Sequence, residues 1–155
     1  MRNLKKFLLF LVTAVLCLQT SAAYAAQADL KPPPEQSKAY KVFGIESLQY
    51  LKEWGCDLTP YGGGYIYITG FTQAYQNVDY IKVNLYLQRW NGSNWVNLGN
   101  WLFEDRNTSL VTGEKGLQVA TGYYYRVRGE HSLTNDGVTE PSKDAESYSS
   151  AIYIK

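Results

Sequence analysis

From Val78 to Trp90 the side chains alternate without a break in period: Ile81, Val83, Leu85 and Leu87 fall on one face, and Lys82, Asn84, Tyr86, Gln88 and Trp90 on the other. A period of two places one set on each side of a pleated strand, and a helix cannot segregate the same residues. The segment is therefore a half-buried β-strand, and it requires a second layer to cover its aliphatic face. The polar stretch Asn91, Gly92, Ser93, Asn94 then reverses the chain. Trp95 to Phe103 returns with Val96 and Leu98 facing opposite to Trp95 and Asn97, which reads as a hairpin.

Strand signals recur on both sides of this hairpin. Pro60 to Gly64 is a turn that opens into the β-prone run Tyr65, Ile66, Tyr67, Ile68, Thr69. Leu110 to Val111 and Leu117 to Val119 are short apolar pieces among turn residues. Tyr123 to Glu130 sets Tyr123, Tyr125 and Val127 against Tyr124, Arg126 and Arg128. After the turn at Asn135, Asp136, Gly137 and a polar loop, Ser147 to Ile154 makes a last strand with Ile152 and Ile154 inward. About seven strands with no long helical pattern between them predict an all-β, antiparallel sandwich. No internal repeat points to a propeller or solenoid.

The N-terminus carries a different message. Arg2, Lys5 and Lys6 precede the apolar run Phe7 to Leu18, and Ala23, Tyr24, Ala25 form an A-x-A site, the three parts of a secretory signal peptide cleaved after Ala25. The expected location is extracellular, with no membrane span left after cleavage, since a span needs about 20 apolar residues. Residues 26–44, with Pro32, Pro33 and Pro34, read as an extended linker, and residues 45–155 as one domain. Ile45 to Trp54 fits a short helix or a strand equally by spacing, with an edge strand preferred. The signal holds three of the chain's 15 basic side chains and no acid, leaving 12 against 14 acidic groups, a formal net charge of −2. Such a balance gives no electrostatic footprint for nucleic acid. Cys17 leaves with the signal, so Cys56 is the lone mature cysteine and stability must come from packing, not from disulfides. The sequons at Asn91 and Asn107 read as turn residues.

The stretch Val119, Ala120, Thr121, Gly122, Tyr123, Tyr124, Tyr125, Arg126, Val127, Arg128 resembles the tyrosine corner of immunoglobulin-like and fibronectin type III-like sandwiches. That resemblance assigns Tyr125 as the corner tyrosine, with Tyr123 second, and Gly122 as its turn glycine. The disulfide and tryptophan of antibody domains are absent, which favours the fibronectin-like side. More broadly, Val83 to Gly92, Trp95 and the Tyr-rich run resemble small secreted Gram-positive proteins that carry a domain of unknown function. The resemblance implies a location and a fold, and no activity.

In an immunoglobulin-like order the long strand, its hairpin partner and the Tyr-rich strand share a sheet. Tyr86, Gln88, Trp90, Trp95, Trp101, Tyr124, Arg126 and Arg128 are then candidates for one outer face. Aromatic faces suit the C–H faces of sugars and Trp, Tyr and Arg dominate protein interfaces, so the expected partner is cell-surface carbohydrate or protein. The same residues could instead be cross-strand pairs that stabilise a half-exposed sheet. No catalytic residue, metal site or cofactor is called for. His131 is the single histidine, Glu104 and Asp105 are adjacent and not spaced as a glycosidase pair, and neither a nucleophile elbow nor a metal-ligand cluster is present. The expectation is a non-catalytic binding module, with a small secreted hydrolase or a self-associating structural protein as the alternatives.

Overall fold

The computed structural model describes residues 31–34, 39–41 and 48–155, all within the compact unit Lys31–Lys155. The expected signal peptide, residues 1–25, and residues 26–30, 35–38 and 42–47 of the expected linker and domain start lie outside the described residues. The described chain is all strand and turn: β1 (Ala39–Lys41), β2 (Leu51–Gly62), β3 (Tyr65–Val78), β4 (Tyr80–Trp90), β5 (Trp95–Asp105), β6 (Thr108–Gln118), β7 (Tyr123–Asn135), β8 (Val138–Tyr148) and β9 (Ile152–Ile154). Every pairing is antiparallel. One sheet runs β1-β8-β7-β4-β5 with β9 beside β7, and the other runs β2-β3-β6.

The seven long strands thus divide as first, second and fifth against third, fourth, sixth and seventh. This is the division of an immunoglobulin-like sandwich, in which strands A, B and E face C, F and G. The alternating faces meet between the sheets. Ile66 and Ile68 from β3 pack against Ile81, Val83 and Leu85 from β4 and Val127 and Leu133 from β7, all without exposed surface. Gly70 belongs to this contact, because a Cβ there would meet the Leu85 side chain and the Gly55 carbonyl, so its absence lets the sheets close. Tyr125 is fully buried, and its hydroxyl donates to the Ala120 carbonyl at 2.8 Å, the bond that defines a tyrosine corner. Gly122 turns the chain at φ 84°, and its N–H donates to Ile154 O at 2.7 Å.

The structure redraws several boundaries. β6 is one strand of 11 residues where the apolar pieces suggested two fragments, since a ladder on β3 satisfies its backbone whatever the side chains are. The expected polar loop after Gly137 is strand β8, hydrogen-bonded to β7. The last strand is broken at Ser149, whose N–H bonds Val127 O and whose hydroxyl accepts from Val127 N. The turn after Pro60 narrows to Gly63 and Gly64. Within 26–44, Lys31–Pro34 has no regular structure, whereas Ala39–Lys41 pairs with β8. Of the stretch Ile45 to Trp54, the strand begins at Leu51. Its entry is held by Glu140 of β8, whose carboxylate accepts from Gln49 N (2.9 Å), Tyr50 N (2.7 Å) and Leu51 N (3.0 Å).

Candidate functional site

Strands β5, β4, β7 and β8 carry the aromatic row expected from sequence. Tyr86, Gln88 and Trp90 of β4 lie opposite Arg128, Arg126 and Trp95, respectively, on the outer face, and Tyr124 follows on β7. Trp101 does not join them. Between Leu87 and Gln88 the β4–β5 register slips by one, placing Asn97 opposite Gln88 but Gly99 opposite Leu87. Leu98 is the extra residue, and beyond it β5 exchanges faces, so Trp101 sits opposite Leu85 and packs on the core.

The row is also more enclosed than an open platform. Trp90 is 7 % exposed and Arg126 8 %. The Arg126 guanidinium lies 4.4 Å from the Trp95 ring centroid and 4.6 Å from that of Tyr148, while its Nε donates to Gln88 Oε1 at 2.7 Å. Gln88 passes the chain on to Asn97 (2.8 Å), and the Trp90 indole N–H donates to Lys31 O (2.8 Å). Arg128 stacks on Tyr86 at 4.4 Å and bridges Glu130 and Glu146, each at 2.9 Å. Tyr86 donates to Glu130 and Tyr148 to Glu146, and burial followed by these carboxylates pushes both phenols up to about 12. Tyr124 stacks with Tyr153 at 5.0 Å. Rings, guanidinium groups and carboxylates here are partners of one another, in cross-strand and cation–π pairs worth about 0.5–2 kcal/mol each.

The opposite surface, the outer face of β2-β3-β6, is built differently. The register sets its outward residues in rows across three strands: Thr59, Tyr67, Gly116; then Asp57, Thr69, Glu114; then Gly55, Phe71, Thr112. Tyr65 stands one pair further along, opposite Gln118, and crosses Gly116, where a Cβ would collide with its hydroxyl. From the end of β2, Tyr61 reaches the same cluster, edge-on to Tyr65 (6.4 Å, 63°) and Tyr67 (6.2 Å, 82°). Tyr61 is 68 % exposed and Tyr65 44 %. Beside the rings, small residues Gly55, Thr69 and Thr112 leave a groove of about 300 Å³, bordered by Phe71, Asp57 and Glu114. A hydrogen bond to Glu114 raises the pKa of the Tyr67 hydroxyl, and Asp57 Oδ1 accepts from Leu58 N at 3.0 Å. None of these residues was singled out from sequence. The signal was present in the period-two set Tyr65, Tyr67, Thr69, Phe71, opposite to the aliphatic set Ile66, Ile68.

Between the sheets lies a buried polar chain. Thr72 Oγ1 donates to Lys82 O (2.8 Å), so its other contact, at 2.9 Å, is as acceptor from His131 Nδ1–H. His131 Nε2 is left to accept from the Ser147 hydroxyl at 2.8 Å. Burial pushes the His131 pKa down to about 3, and burial likewise lifts the Cys56 thiol to about 11, with its Sγ 3.5 Å from Val127 O. His131 has no exposed surface and the residue at its Nδ1 is a threonine, not a carboxylate, so Ser147, His131 and Thr72 form a hydrogen-bonded row sealed in the core. Glu104 accepts from Tyr80 Oη (2.6 Å) and Asp105 from Arg106 N (2.7 Å) at the end of β5. Among the described residues no three His, Cys, Asp or Glu side chains converge as metal ligands, and no helix is long and apolar enough to cross a membrane.

Residues 22–148 match the model of a family described as a family of unknown function, DUF6147. Neither the curated proteins nor the solved structures contain a match to the chain.

Proposed function

The chain belongs to the DUF6147 family, whose description carries no activity, and we propose from its geometry that it is a non-catalytic binding module that takes carbohydrate on the outer face of β2-β3-β6. The observation that supports this most is the solvent-facing cluster Tyr61, Tyr65 and Tyr67 beside a groove, in a fold whose other aromatic face is engaged internally. Stacking on an exposed ring removes apolar surface of both partners from water without breaking an existing contact. Thr69, Thr112 and the two carboxylates supply hydroxyl and acceptor groups at the edge of the rings, as sugar hydroxyls require. The signal-like N-terminus favours action outside the cell. A short Lys-rich signal on a chain without a disulfide pair favours a Gram-positive source.

The test is titration of the protein with a panel of oligosaccharides and purified cell walls by calorimetry. Saturable binding that is lost in Tyr61→Ala with Tyr65→Ala, while the unfolding midpoint is kept, is the expected result. Binding that survives that pair places the ligand elsewhere. Self-association is a second reading, favoured by Val96, Leu98 and Leu102, each exposed along β5, the edge strand of its sheet among the described residues. Sedimentation equilibrium would reveal it as a concentration-dependent mass.

A further inference from the structure

We infer that the Trp90–Trp95 end of the β4–β5 hairpin is a binding site for a proline-rich peptide of a partner protein, and that the chain's own segment Lys31–Pro34 occupies it in cis. Trp90 projects from the outward face of β4, opposite Trp95 and with its ring 5.4 Å from that ring, yet it is only 7 % exposed. An outward ring at the end of a hairpin is buried only where something lies on it, and Lys31–Pro34 reaches it. The Trp90 indole N–H donates to the Lys31 carbonyl at 2.8 Å. Pro33 is half-buried between the exposed Pro32 and Pro34. Each proline fixes its φ at about −65° and disfavours the helical conformation in the residue before it. The run is thereby confined to an extended, three-sided helix that can rest one edge on the domain.

The chemistry of this contact is that of proline recognition. Prolines carry no N–H, so Pro32, Pro33 and Pro34 offer carbonyl acceptors and apolar rings but no backbone donor. An indole supplies the complement, a donor beside a flat apolar face. Aromatic-lined grooves take proline-rich segments in this way, at small entropic cost because the segment is already extended. A second donor stands alongside: the Trp95 indole N–H is buried with no hydrogen-bond partner among the described residues, and a peptide carbonyl is the acceptor that would satisfy it. The Arg126 guanidinium is stacked on Trp95 with Lys31–Pro34 in place, so exchanging one proline segment for another displaces no guanidinium. A tethered segment competes at an effective concentration of about millimolar, and a partner's segment enters when it outcompetes that tether. The site lies on the opposite sheet from Tyr61 and Tyr65 and stands or falls apart from the carbohydrate reading.

The experiment follows the indole N–H resonances of the four tryptophans in the full chain, isotopically labelled, as a synthetic peptide of residues 28–36 is added. A full-chain variant with Pro32→Ser, Pro33→Ser and Pro34→Ser weakens the tethered ligand without altering the sheet. In that variant the peptide should shift the Trp90 and Trp95 resonances saturably, with an affinity about tenfold higher than in wild type, where the tether competes. A peptide with its prolines replaced by serine should leave both resonances in place. Trp90→Phe in the same background keeps a ring and loses the donor, and should weaken binding about tenfold, read at Trp95. No shift at either indole in a variant that unfolds cooperatively would overturn the inference, as would equal binding of the proline and serine peptides. Equal peptide affinity in wild type and variant would overturn the occupation in cis. Oligosaccharide that moves both indoles where the peptide does not would overturn the peptide site and place sugar on this face. A concentration-dependent mass for wild type, with the same two resonances moving, would overturn it in favour of a segment exchanged between copies.

Discussion

Lowering the pH from 7 to 5 should cost this fold about 2 kcal/mol through one side chain. His131 is fully buried between the sheets, donating through Nδ1 to Thr72 and accepting at Nε2 from Ser147, and burial depresses its pKa to about 3, with Asp144 pulling weakly the other way. In the unfolded chain the imidazole returns to its ordinary value near 6.5. The native state therefore binds fewer protons than the unfolded state in the window between these values. Stability is full above about pH 6.5 and is lost as the pH falls towards 3, by about 5 kcal/mol in all, of which about 2 kcal/mol falls between pH 7 and 5. Urea unfolding followed by tryptophan fluorescence at both pH values measures it. His131→Gln keeps a polar side chain between Thr72 and Ser147 but cannot titrate, so it should be less stable at pH 7 and lose about 2 kcal/mol less on acidification. Parallel losses in the two proteins would refute the reasoning. Because His131 is the only histidine, its ring proton resonance provides a check that needs no variant, and a shift with a midpoint near 6.5 in the folded protein would be equally damaging.

Four further outcomes follow from contacts already described. The Cys56 thiol, lifted to about 11 from 9.0, should react with a disulfide reagent about 100-fold more slowly in the folded protein than in urea at mildly alkaline pH, and equal rates would mean that it is open to solvent. Glu140→Gln turns an amide donor towards three backbone N–H groups and should lower stability by about 2–3 kcal/mol, whereas an unchanged urea midpoint would show that the carboxylate does not hold the start of β2. Tyr125→Phe keeps the buried ring and removes only the bond to Ala120, so a loss near 1 kcal/mol is expected, and none would mean the corner bond contributes nothing net. Trp90→Ala should destabilise the protein by about 3 kcal/mol, and a variant as stable as wild type would show that this indole is not integral to the fold.

The sandwich was legible because β3, β4 and β7 each bury one face, which forces a period of two on Ile66 and Ile68, on Ile81 to Leu87, and on Tyr125 and Val127. Strand β8 was not, since residues such as Glu140, Ser142, Lys143 and Asp144 carry no such pattern; β7 supplies its ladder, and that partner is invisible locally. Trp101 illustrates the same limit at one residue. By parity it belongs with Trp95, and only the slip opposite Leu87 and Gln88, a property of the β4–β5 pair, turns it inward. The tyrosine cluster was half legible: Tyr65, Tyr67 and Phe71 share a face by alternation, but Tyr61 joins them across a glycine turn and from another strand.

What sequence could not separate is an aromatic face that stabilises from one that is available to a ligand, because the difference lies in the partners. Arg126 and Arg128 find their rings and carboxylates partly on β8, in Glu146 and Tyr148, some 20 residues further along the chain. Once those contacts form, a ligand on that face has to displace guanidinium groups from rings at about 0.5–2 kcal/mol each before it gains anything. On β2-β3-β6 no described arginine stacks on Tyr61, Tyr65 or Tyr67, and the exposed faces of Tyr61 and Tyr65 can be covered without displacing a guanidinium group. The two faces should therefore respond oppositely to substitution: removing Tyr61 should leave stability within about 0.5 kcal/mol and weaken binding, whereas removing Trp90 should weaken the fold first. Aromatic content says that a sheet can stack, and the charge pairing around each ring decides whether the stacking partner is already part of the chain.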